Sequence, residues 1–400
     1  MSGPSGRHFL QLPGPTNVPD RVLRAMDRAL IDHRGPQFAD LTRRILADLS
    51  WIFDASEHVF VFPSSASGCW EAALVNTLSP GDSVLAYENG FFAAGWSDVA
   101  ERLGLRVERI QADWRRPAVA SPIRERLASD RGIRAVLIVH NETSTGVTSP
   151  IAPVRAALDD LGHEALLMVD AVSSLGTTAY RHDGWGVDVT ICGSQKGLML
   201  PPGLGLCATS RRALDANRDA ALPRAYWDWA EMRRCNRDGF FPSTPATSLL
   251  YGLAESLRML REEGLESVFG RHARFAAATR AALDGWGLDN HCVDPAGYSN
   301  AATTVVGPEG VDVRRFLDEV LRRFDMSLGG GLGRLRGEVF RIGHLGDLND
   351  LTLLGTLAGV EMGMRAVGAD LRSGGVEAAM SHLLATTPAG MAPAKERSTT

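Results

Sequence analysis

The stretch "DVTICGSQKGLMLPPG", residues 188–203, decides the fold that we expect for this chain. Its first residues are apolar and predict a buried strand, which breaks at Gly193 and is followed by a polar segment that holds one lysine, Lys196. Two prolines at positions 201 and 202 prevent a helix from continuing. Because lysine is seldom buried without a reason, Lys196 is the first candidate functional residue.

Alternating strand and helix patterns surround this stretch. Short β-branched runs alternate with helical patterns between about residues 59 and 210, which is typical of an α/β domain with a mainly parallel sheet. The expected strands are residues 58–62, 83–87, 135–140, 165–170, 188–192 and 205–209. The expected helices between them are residues 68–78, 97–104 and 151–162.

The pattern changes after about residue 245, which predicts a second, smaller α+β domain. It shows long amphipathic helices at 248–264 and 268–287, and strands near 300–306 and 338–344. From Ser373 onward the sequence is small and polar without a clear pattern, so we expect its end to be frayed. The expected divisions are an N-terminal arm (1–22), a large domain (23–263), a small C-terminal domain (264–385) and a flexible tail (386–400).

The composition argues against several classes of function. Apolar residues make up 44% and charged residues 22% of the 400 residues, as in ordinary globular proteins. The net charge of −5 disfavours a nucleic-acid partner, because neutralising phosphates requires a basic face. The longest apolar runs have only strand length, so we expect no membrane span. The first residues contain no apolar signal segment, so we expect a cytoplasmic protein.

The cysteines predict neither a disulfide framework nor a metal site. Their number is odd and none belongs to a CxxC pair, which disfavours both disulfides and a zinc cluster. We expect them to be reduced and mostly buried. They are Cys69, Cys192, Cys207, Cys235 and Cys292.

Polar residues follow four of the expected strands, at the edge where a parallel sheet binds its ligands. They are residues 64–68, residues 141–145, Asp170 and residues 194–196. The first set is a small-residue turn that leads into a helix starting near Gly68, and such a turn can hold a phosphate through free backbone N–H groups. An ordinary helix N-cap explains the turn equally well. It is neither a Walker P-loop nor a dinucleotide fingerprint, so a nucleotide is not the expected ligand.

Asp170 and Lys196 add an acid and an amine to the polar residues at this edge of the sheet. Asp170 ends an apolar strand, where a carboxylate needs a cationic or donor partner unless it only caps the next turn. Lys196 would become a neutral, nucleophilic amine if burial and a nearby cation lower its pKa; the alternative is a surface lysine, which the apolar flanks disfavour. A phosphate cradle, an acid for a ring nitrogen and a lysine for a Schiff base together describe pyridoxal 5′-phosphate.

With these residues, the sequence resembles the class V aminotransferases of the type I pyridoxal-phosphate fold, specifically the serine–glyoxylate and alanine–glyoxylate group. That fold has a large domain with a mainly parallel seven-stranded sheet and a smaller C-terminal α+β domain. The most specific feature is the setting of Asp170 and of "GSQK", residues 193–196, and the resemblance covers nearly the whole chain. The segments that carry it are residues 12–26, 32–38, 70–82, 140–147, 169–176, 186–205 and 339–348.

The resemblance implies a role for each residue at the rim. Lys196 would carry the cofactor and shuttle a proton, with Asp170 on the pyridine nitrogen. The further cofactor contacts that it implies are Ser65, Ala66 and Ser67 at the phosphate with Gln195 beside them, Thr143 at the ring hydroxyl, and Val172 and Phe92 on the two ring faces. The sequence departs from the usual family pattern at Ala66, at Ser243 and in "NGFFAAGW", residues 89–96.

The resemblance also implies a homodimer with shared active sites and small-molecule substrates. Residues 240–252 resemble the segment that completes the partner's phosphate site, with Thr244 as donor, although a linker between domains explains them too. Arg341 resembles the arginine that binds the substrate carboxylate, a bidentate task. His33 would line the substrate end from the partner subunit.

The implied reaction is transfer of an amino group from L-serine to glyoxylate, which gives hydroxypyruvate and glycine. Three alternatives stay open. The donor could be alanine or aspartate; the chain could be a pyridoxal-phosphate lyase or desulfurase on the same fold; or it could bind the cofactor without catalysis.

Overall fold

The computed structural model describes residues 6–387, which form thirteen strands and thirteen α-helices in that range. The strands are β1 (Phe9–Gln11), β2 (Val59–Phe62), β3 (Ser83–Glu88), β4 (Arg106–Gln111), β5 (Ile133–Val139), β6 (Asn141–Glu142), β7 (Val147–Thr148), β8 (Leu166–Asp170), β9 (Val189–Gly193), β10 (Gly205–Thr209), β11 (Ala302–Val306), β12 (Met326–Gly330) and β13 (Val339–Gly343). The helices are α1 (Asp20–Met26), α2 (Pro36–Phe53), α3 (Ala66–Thr77), α4 (Phe91–Arg102), α5 (Ala120–Ser129), α6 (Ala152–Asp160), α7 (Arg211–Ala216), α8 (Trp229–Arg237), α9 (Thr247–Glu263), α10 (Leu265–Trp286), α11 (Val313–Phe324), α12 (Asp350–Ala366) and α13 (Gly375–Ala385).

A seven-stranded sheet forms the centre of the fold, with the strand order β2-β10-β9-β8-β5-β3-β4. All its strands run in one direction except β10, which is antiparallel to both of its neighbours. The prediction of a mainly parallel sheet is therefore confirmed, and so are its six expected strands. The seventh, β4, lies at the edge and has the sequence "RVERIQ", whose charged residues obscure a strand pattern.

Helices cover both faces of this sheet, as its doubly buried strands require. Apolar side chains of α2, α5, α6 and α9 pack on one face, and those of α3, α4, α7 and α8 pack on the other. Two helices begin earlier than the sequence indicates, since α3 starts at Ala66 and α4 at Phe91.

A second, four-stranded sheet has the order β1-β12-β13-β11, and it contains the very beginning of the described chain. Strand β1 pairs with β12 in parallel, whereas β12, β13 and β11 are antiparallel. Helices α10 to α13 bury a separate apolar cluster against this sheet. The N-terminal segment is thus anchored to strands that come more than three hundred residues later.

The chain just after Ser373 shows no clear pattern in the sequence, but residues 375–385 form helix α13. Its small residues permit a close approach to α10: a Cβ atom on Gly285 would lie 2.7 Å from the Cα atom of Gly375. Such contacts between small residues leave little apolar pattern in the sequence. The expected tail, 386–400, lies outside the described residues except for Thr386 and Thr387, and the expected boundary after residue 22 falls inside α1.

Two further observations concern expectations made from composition. Within residues 6–387, no helix combines the length and apolar character needed to cross a membrane. All five cysteines are free, and four of them are buried.

Candidate active site

Lys196 lies in a tightly held loop that follows β9. The Ser194 hydroxyl donates to the carbonyl oxygen of Pro201 (2.8 Å) and accepts from the backbone N–H of Leu204 (3.1 Å), so it closes the loop around the lysine. Gly197 is required for close packing, because a Cβ atom there would lie 2.2 Å from the carbonyl oxygen of Leu175. The loop therefore holds the Lys196 side chain in the interior, where only 7% of the residue is exposed.

The surroundings of Lys196 make its amine a nucleophile near neutral pH. Burial, and next the positive charge of Arg341, lower the pKa of Lys196 to about 8, while Asp170 acts in the opposite direction. The amine donates to the backbone carbonyl of Pro13 in the N-terminal segment. A lysine with a lowered pKa, partnered only by a backbone carbonyl among the described residues, can attack a carbonyl carbon.

Asp170 is the last residue of β8 and is almost completely buried. Its Oδ1 atom accepts from the backbone N–H of Val172 (2.8 Å), and its Oδ2 atom accepts from the indole N–H of Trp70 (2.7 Å). Burial raises the pKa of Asp170 to about 6, and these two hydrogen bonds oppose that rise. Each carboxylate oxygen keeps a further lone pair that could accept from a protonated ring nitrogen.

Arg341 comes from the smaller sheet and lies against the polar residues that follow β5. It extends from β13, where its Nε atom donates to the Gly330 carbonyl (2.9 Å) and its Nη1 atom donates to the Thr143 carbonyl (3.1 Å). Burial lowers the pKa of Arg341 to about 10. No carboxylate forms an ion pair with it within residues 6–387. A buried guanidinium held only by carbonyls can bind a carboxylate ligand.

The hydroxyl and ring-stacking residues adjoin this group. The Thr143 hydroxyl donates to the Ser173 hydroxyl (2.7 Å). Val172 lies two residues after Asp170, and Phe92 lies in the first turn of α4; both are half-buried and pack on the same apolar cluster. The structure therefore positions Thr143, Val172 and Phe92 around the end of β8.

The small-residue turn leads into α3 and keeps free donors. Ser65 is the N-cap residue, but its side chain makes no capping hydrogen bond, and Ser65 and Ser67 are both exposed. A Cβ atom on Gly193 would lie 3.2 Å from the Cβ of Ala66 and 2.9 Å from the Oε1 atom of Gln195, so these residues meet. The Gln195 Oε1 atom is buried without a hydrogen-bond partner among the described residues.

Thr244 and His33 lie on loops that connect helices, outside the segments that follow the strands of the large sheet. Thr244 is exposed, between α8 and α9, and lines a small cavity with Phe62 and Pro63. His33 is half-buried between α1 and α2, and its Nε2 atom is buried without a partner in the described part of the chain. No described hydrogen bond connects either residue to Lys196.

Sequence reasoning assigned no role to two residues that hold this site together. Glu142 is fully buried: its Oε2 atom accepts from the backbone N–H groups of Phe92 and Ala93 (3.0 Å each), and its Oε1 atom accepts from the hydroxyl and the backbone N–H of Ser144. Trp70 stands one helical turn after Ala66, and this spacing is the signal that could have placed it beside the strand end.

The residues at this edge fit pyridoxal 5′-phosphate. The unused donors at the start of α3 suit its phosphate, and the Gln195 side chain lies beside them. Asp170 retains acceptor capacity for the ring nitrogen, and the amine of Lys196 has the lowered pKa that covalent attachment requires.

Comparisons with known proteins identify the family and the fold of the chain. A sequence model of the family described as "Aminotransferase class-V" matches residues 8–321. The chain belongs to that family, and its fold is that of the type I pyridoxal-phosphate-dependent transferases.

Individual relatives span nearly the same length. A serine–glyoxylate aminotransferase of Methylorubrum extorquens is 47% identical over 94% of this chain and 96% of the relative. An L-aspartate–glyoxylate aminotransferase of Paracoccus denitrificans is 44% identical over 94% of this chain and 96% of the relative. The crystal structure of a ureidoglycine–glyoxylate aminotransferase from Bacillus subtilis matches with a TM-score of 0.88 at 28% identity, and the match covers 95% of this chain and 99% of that one.

Proposed function

We propose that this aminotransferase uses pyridoxal 5′-phosphate to move an amino group from L-serine to glyoxylate, which yields hydroxypyruvate and glycine. The observation that carries the proposal is the arrangement of Lys196, Asp170 and Arg341. Asp170 is the last residue of β8, Lys196 follows the neighbouring strand β9, and Arg341 reaches them from the smaller sheet. The names of the relatives from Methylorubrum extorquens and Paracoccus denitrificans support glyoxylate as the acceptor.

The proposed roles come from the family resemblance, and the contacts of Lys196, Asp170 and Arg341 support them. When bound, pyridoxal 5′-phosphate supplies an electron sink for charge that develops at the substrate Cα. Lys196 takes and returns the proton at that carbon through its Nζ atom. Asp170 keeps a positive charge on the ring nitrogen, and Arg341 orients the substrate by holding its carboxylate. Ser65, Ala66, Ser67 and Gln195 bind the phosphate, Thr143 binds the ring hydroxyl, and Val172 and Phe92 enclose the ring.

The proposed donor is L-serine, with aspartate and alanine as competitors. Each contact that separates these donors is worth only about 1 to 3 kcal/mol. The relative from Methylorubrum extorquens, named for serine, favours serine, whereas the one from Paracoccus denitrificans is named for aspartate. Single-turnover rates with the three amino acids decide between them.

We further propose a homodimer with shared active sites, to which each partner contributes Thr244 and His33. Thr244 is exposed, and no described hydrogen bond ties either residue to Lys196 of its own chain. Exposed apolar side chains accompany both segments, with Leu30 68% and Tyr226 52% exposed. A subunit interface over these segments would remove both side chains from water. Sedimentation of the holoenzyme, compared with a Leu30→Glu variant, tests the dimer.

Two organisational proposals accompany the function. The first is a division into a large and a small domain after residue 263; the apolar clusters change a few residues later, within α10, between Val268 and Phe275. A cytoplasmic location is supported by five free cysteines.

The test of the proposed function uses the cofactor-loaded protein in two half-reactions. L-serine is expected to bleach its visible absorbance, and glyoxylate is expected to restore it. Borohydride reduction and peptide mapping are expected to place the cofactor on Lys196, and a Lys196→Ala variant should show neither half-reaction. A loaded protein that L-serine, L-alanine and L-aspartate all leave unbleached would overturn the proposal.

A further inference from the structure

Trp70 connects the proposed phosphate site to Asp170. It lies in α3, four residues after Ala66, and only 7% of it is exposed. Its indole ring stacks on that of Trp96 from α4, with ring centroids 6.2 Å apart and an interplanar angle of 16°. Its Nε1 atom donates to the Oδ2 atom of Asp170 at 2.7 Å. One helix therefore begins at the phosphate turn and also holds the carboxylate.

This hydrogen bond favours one orientation of the Asp170 carboxylate. The final torsion of an aspartate side chain is broad, so its carboxylate is not oriented by rotamer preference alone. The backbone N–H of Val172 engages only Oδ1, and Trp70 is the donor to Oδ2 within the described chain. Two donors on different oxygens define the carboxylate plane.

The indole also selects the ionised form of the acid. An indole N–H donates but cannot accept, so it offers nothing to the proton of a carboxylic acid. Its bond to an ionised carboxylate is charge-assisted and therefore stronger than a bond to the neutral acid. Because desolvation favours the neutral form of Asp170, a hydrogen-bond donor such as the Trp70 indole is needed to stabilise the ionised form.

We propose that Trp70 is a positioning residue that orients the Asp170 carboxylate and keeps it ionised toward the pyridine nitrogen of pyridoxal 5′-phosphate. This inference rests on the proposed function, because it requires the cofactor ring to lie beside Asp170. Trp70 acts through Asp170 and contributes no group to the reacting atoms.

Trp96 provides a matched control. It is the other ring of the same stack and is buried to the same degree or more, at 1% exposure. Its Nε1 atom has no hydrogen-bond partner among the described residues. Trp96→Phe therefore perturbs the packing of the pair without removing a hydrogen bond, whereas Trp70→Phe perturbs the packing and also removes the bond to Asp170.

The test measures dissociation constants of the full-length chain for two ligands: pyridoxal 5′-phosphate, and its analogue in which CH replaces the ring nitrogen. Trp70→Phe is expected to weaken binding of pyridoxal 5′-phosphate about tenfold, as for loss of one hydrogen bond to a charged group. Trp96→Phe is expected to have no such effect. Binding of the analogue is expected to be equal in wild type and Trp70→Phe, because the analogue has no nitrogen for Asp170 to hold.

Three results would overturn the inference: unchanged cofactor affinity in Trp70→Phe, equal losses in both variants, or an equal loss for the analogue. If Trp70→Phe does not fold, 3-benzothienylalanine at position 70 keeps the ring shape with sulfur in place of N–H, and the same outcomes apply. Failure of the proposed function appears separately, as a wild-type protein that binds pyridoxal 5′-phosphate no better than the analogue or that fails both half-reactions.

Discussion

The side-chain amine of Lys196 donates to the backbone carbonyl of Pro13, a residue 183 positions earlier in the chain. Pro13 and Gly14 follow β1, which is paired with β12 of the smaller sheet. The N-terminal segment therefore covers the lysine that the large sheet presents. This relationship makes the first residues of the described chain part of the candidate site.

Replacement of Gly14 by alanine should displace Lys196. A Cβ atom at position 14 would lie 2.3 Å from the Cδ atom and 2.5 Å from the Nζ atom of Lys196, and Gly14 has a φ of 98°. We expect Gly14→Ala to reduce the rate of covalent cofactor capture at least about tenfold, since small misplacements of a reacting group have large effects on rate. Gly104→Ala, with a φ of 81° and no atom within 4 Å of its Cβ, separates backbone strain from the clash. Equal rates in the two variants would contradict the prediction.

The rate of cofactor capture should depend on pH through Lys196. Because burial lowers the pKa of Lys196 to about 8, the neutral amine decreases about tenfold for each pH unit below that value. We expect the rate at which the visible chromophore forms to rise between pH 6 and 8 and to level off above 9. Stopped-flow mixing of cofactor-free protein with pyridoxal 5′-phosphate measures it. A rate that still rises steeply above pH 9.5 would mean an ordinary, exposed lysine.

Asp170 should make the cofactor-free chain less stable as pH rises. Its pKa is raised to about 6 from an ordinary 3.8 by burial, so the folded state binds this proton more tightly than the unfolded state. Its contribution to stability is complete below about pH 4 and is lost as pH rises through 6. We expect Asp170→Asn to gain about 3 kcal/mol relative to wild type between pH 4 and 7.5, measured by denaturant unfolding. The exposed Asp219→Asn supplies the baseline; a pH-independent difference would refute the prediction.

Arg341→Lys should damage substrate recognition while the cofactor site stays intact. Lysine keeps the positive charge near Lys196 but loses the planar fork that binds a carboxylate. We expect kcat/KM for L-serine to fall roughly tenfold to a hundredfold, as for loss of one charge-assisted hydrogen bond. The dissociation constant for pyridoxal 5′-phosphate should not change. If kcat/KM is unaltered, another residue binds the substrate carboxylate.

Glu142→Gln should loosen the start of α4. All four groups that contact the Glu142 carboxylate donate to it, two to each oxygen, and only the Ser144 hydroxyl can turn to accept, so in either amide orientation at least one backbone N–H faces an NH2 group. With an acceptor lost, we expect hydrogen exchange at Phe92 and Ala93 to accelerate about tenfold or more. Glu88→Gln is the control, because that buried acid binds Arg109 and Gln111 instead. Equal exchange in the two variants would exclude a role for Glu142 in holding Phe92.

The large sheet and the chemistry at its edge were predictable because each leaves a local pattern. The strands that end at Asp170 and Gly193 are continuous apolar runs, and the polar residue after such a run marks a ligand-binding edge. Strand β12, "MSLGG", was missed because its two glycines read as a turn. In the fold, Gly329 allows the N-terminal segment to pack closely on β12, since a Cβ atom on Gly329 would lie 2.9 Å from the Cδ atom of Pro13.

The contacts that join distant segments could not be read from the sequence. The bond between Trp70 and Asp170 spans 100 positions, and the bond from Arg341 to the Thr143 carbonyl spans 198. Such pairs depend on how the two sheets are placed, which no local periodicity encodes. Glu142 stood among the polar residues after β5, but the groups that donate to its Oε2 atom are backbone N–H groups of α4. Every residue except proline has such a group, so the sequence does not show which of them would meet Glu142.

The pairing of β1 with β12 has a consequence for synthesis of the protein on the ribosome. A nascent chain that ends before Met326 already contains every strand of the large sheet, but β1 has no partner yet. Domains generally fold as they emerge from the ribosome, so the large sheet that presents Lys196 can form first. The N-terminal segment can cover Lys196 only after β12 has been synthesised, when translation is nearly finished. Truncated or stalled polypeptides would therefore present a Lys196 without the hydrogen bond to the Pro13 carbonyl that the complete fold provides.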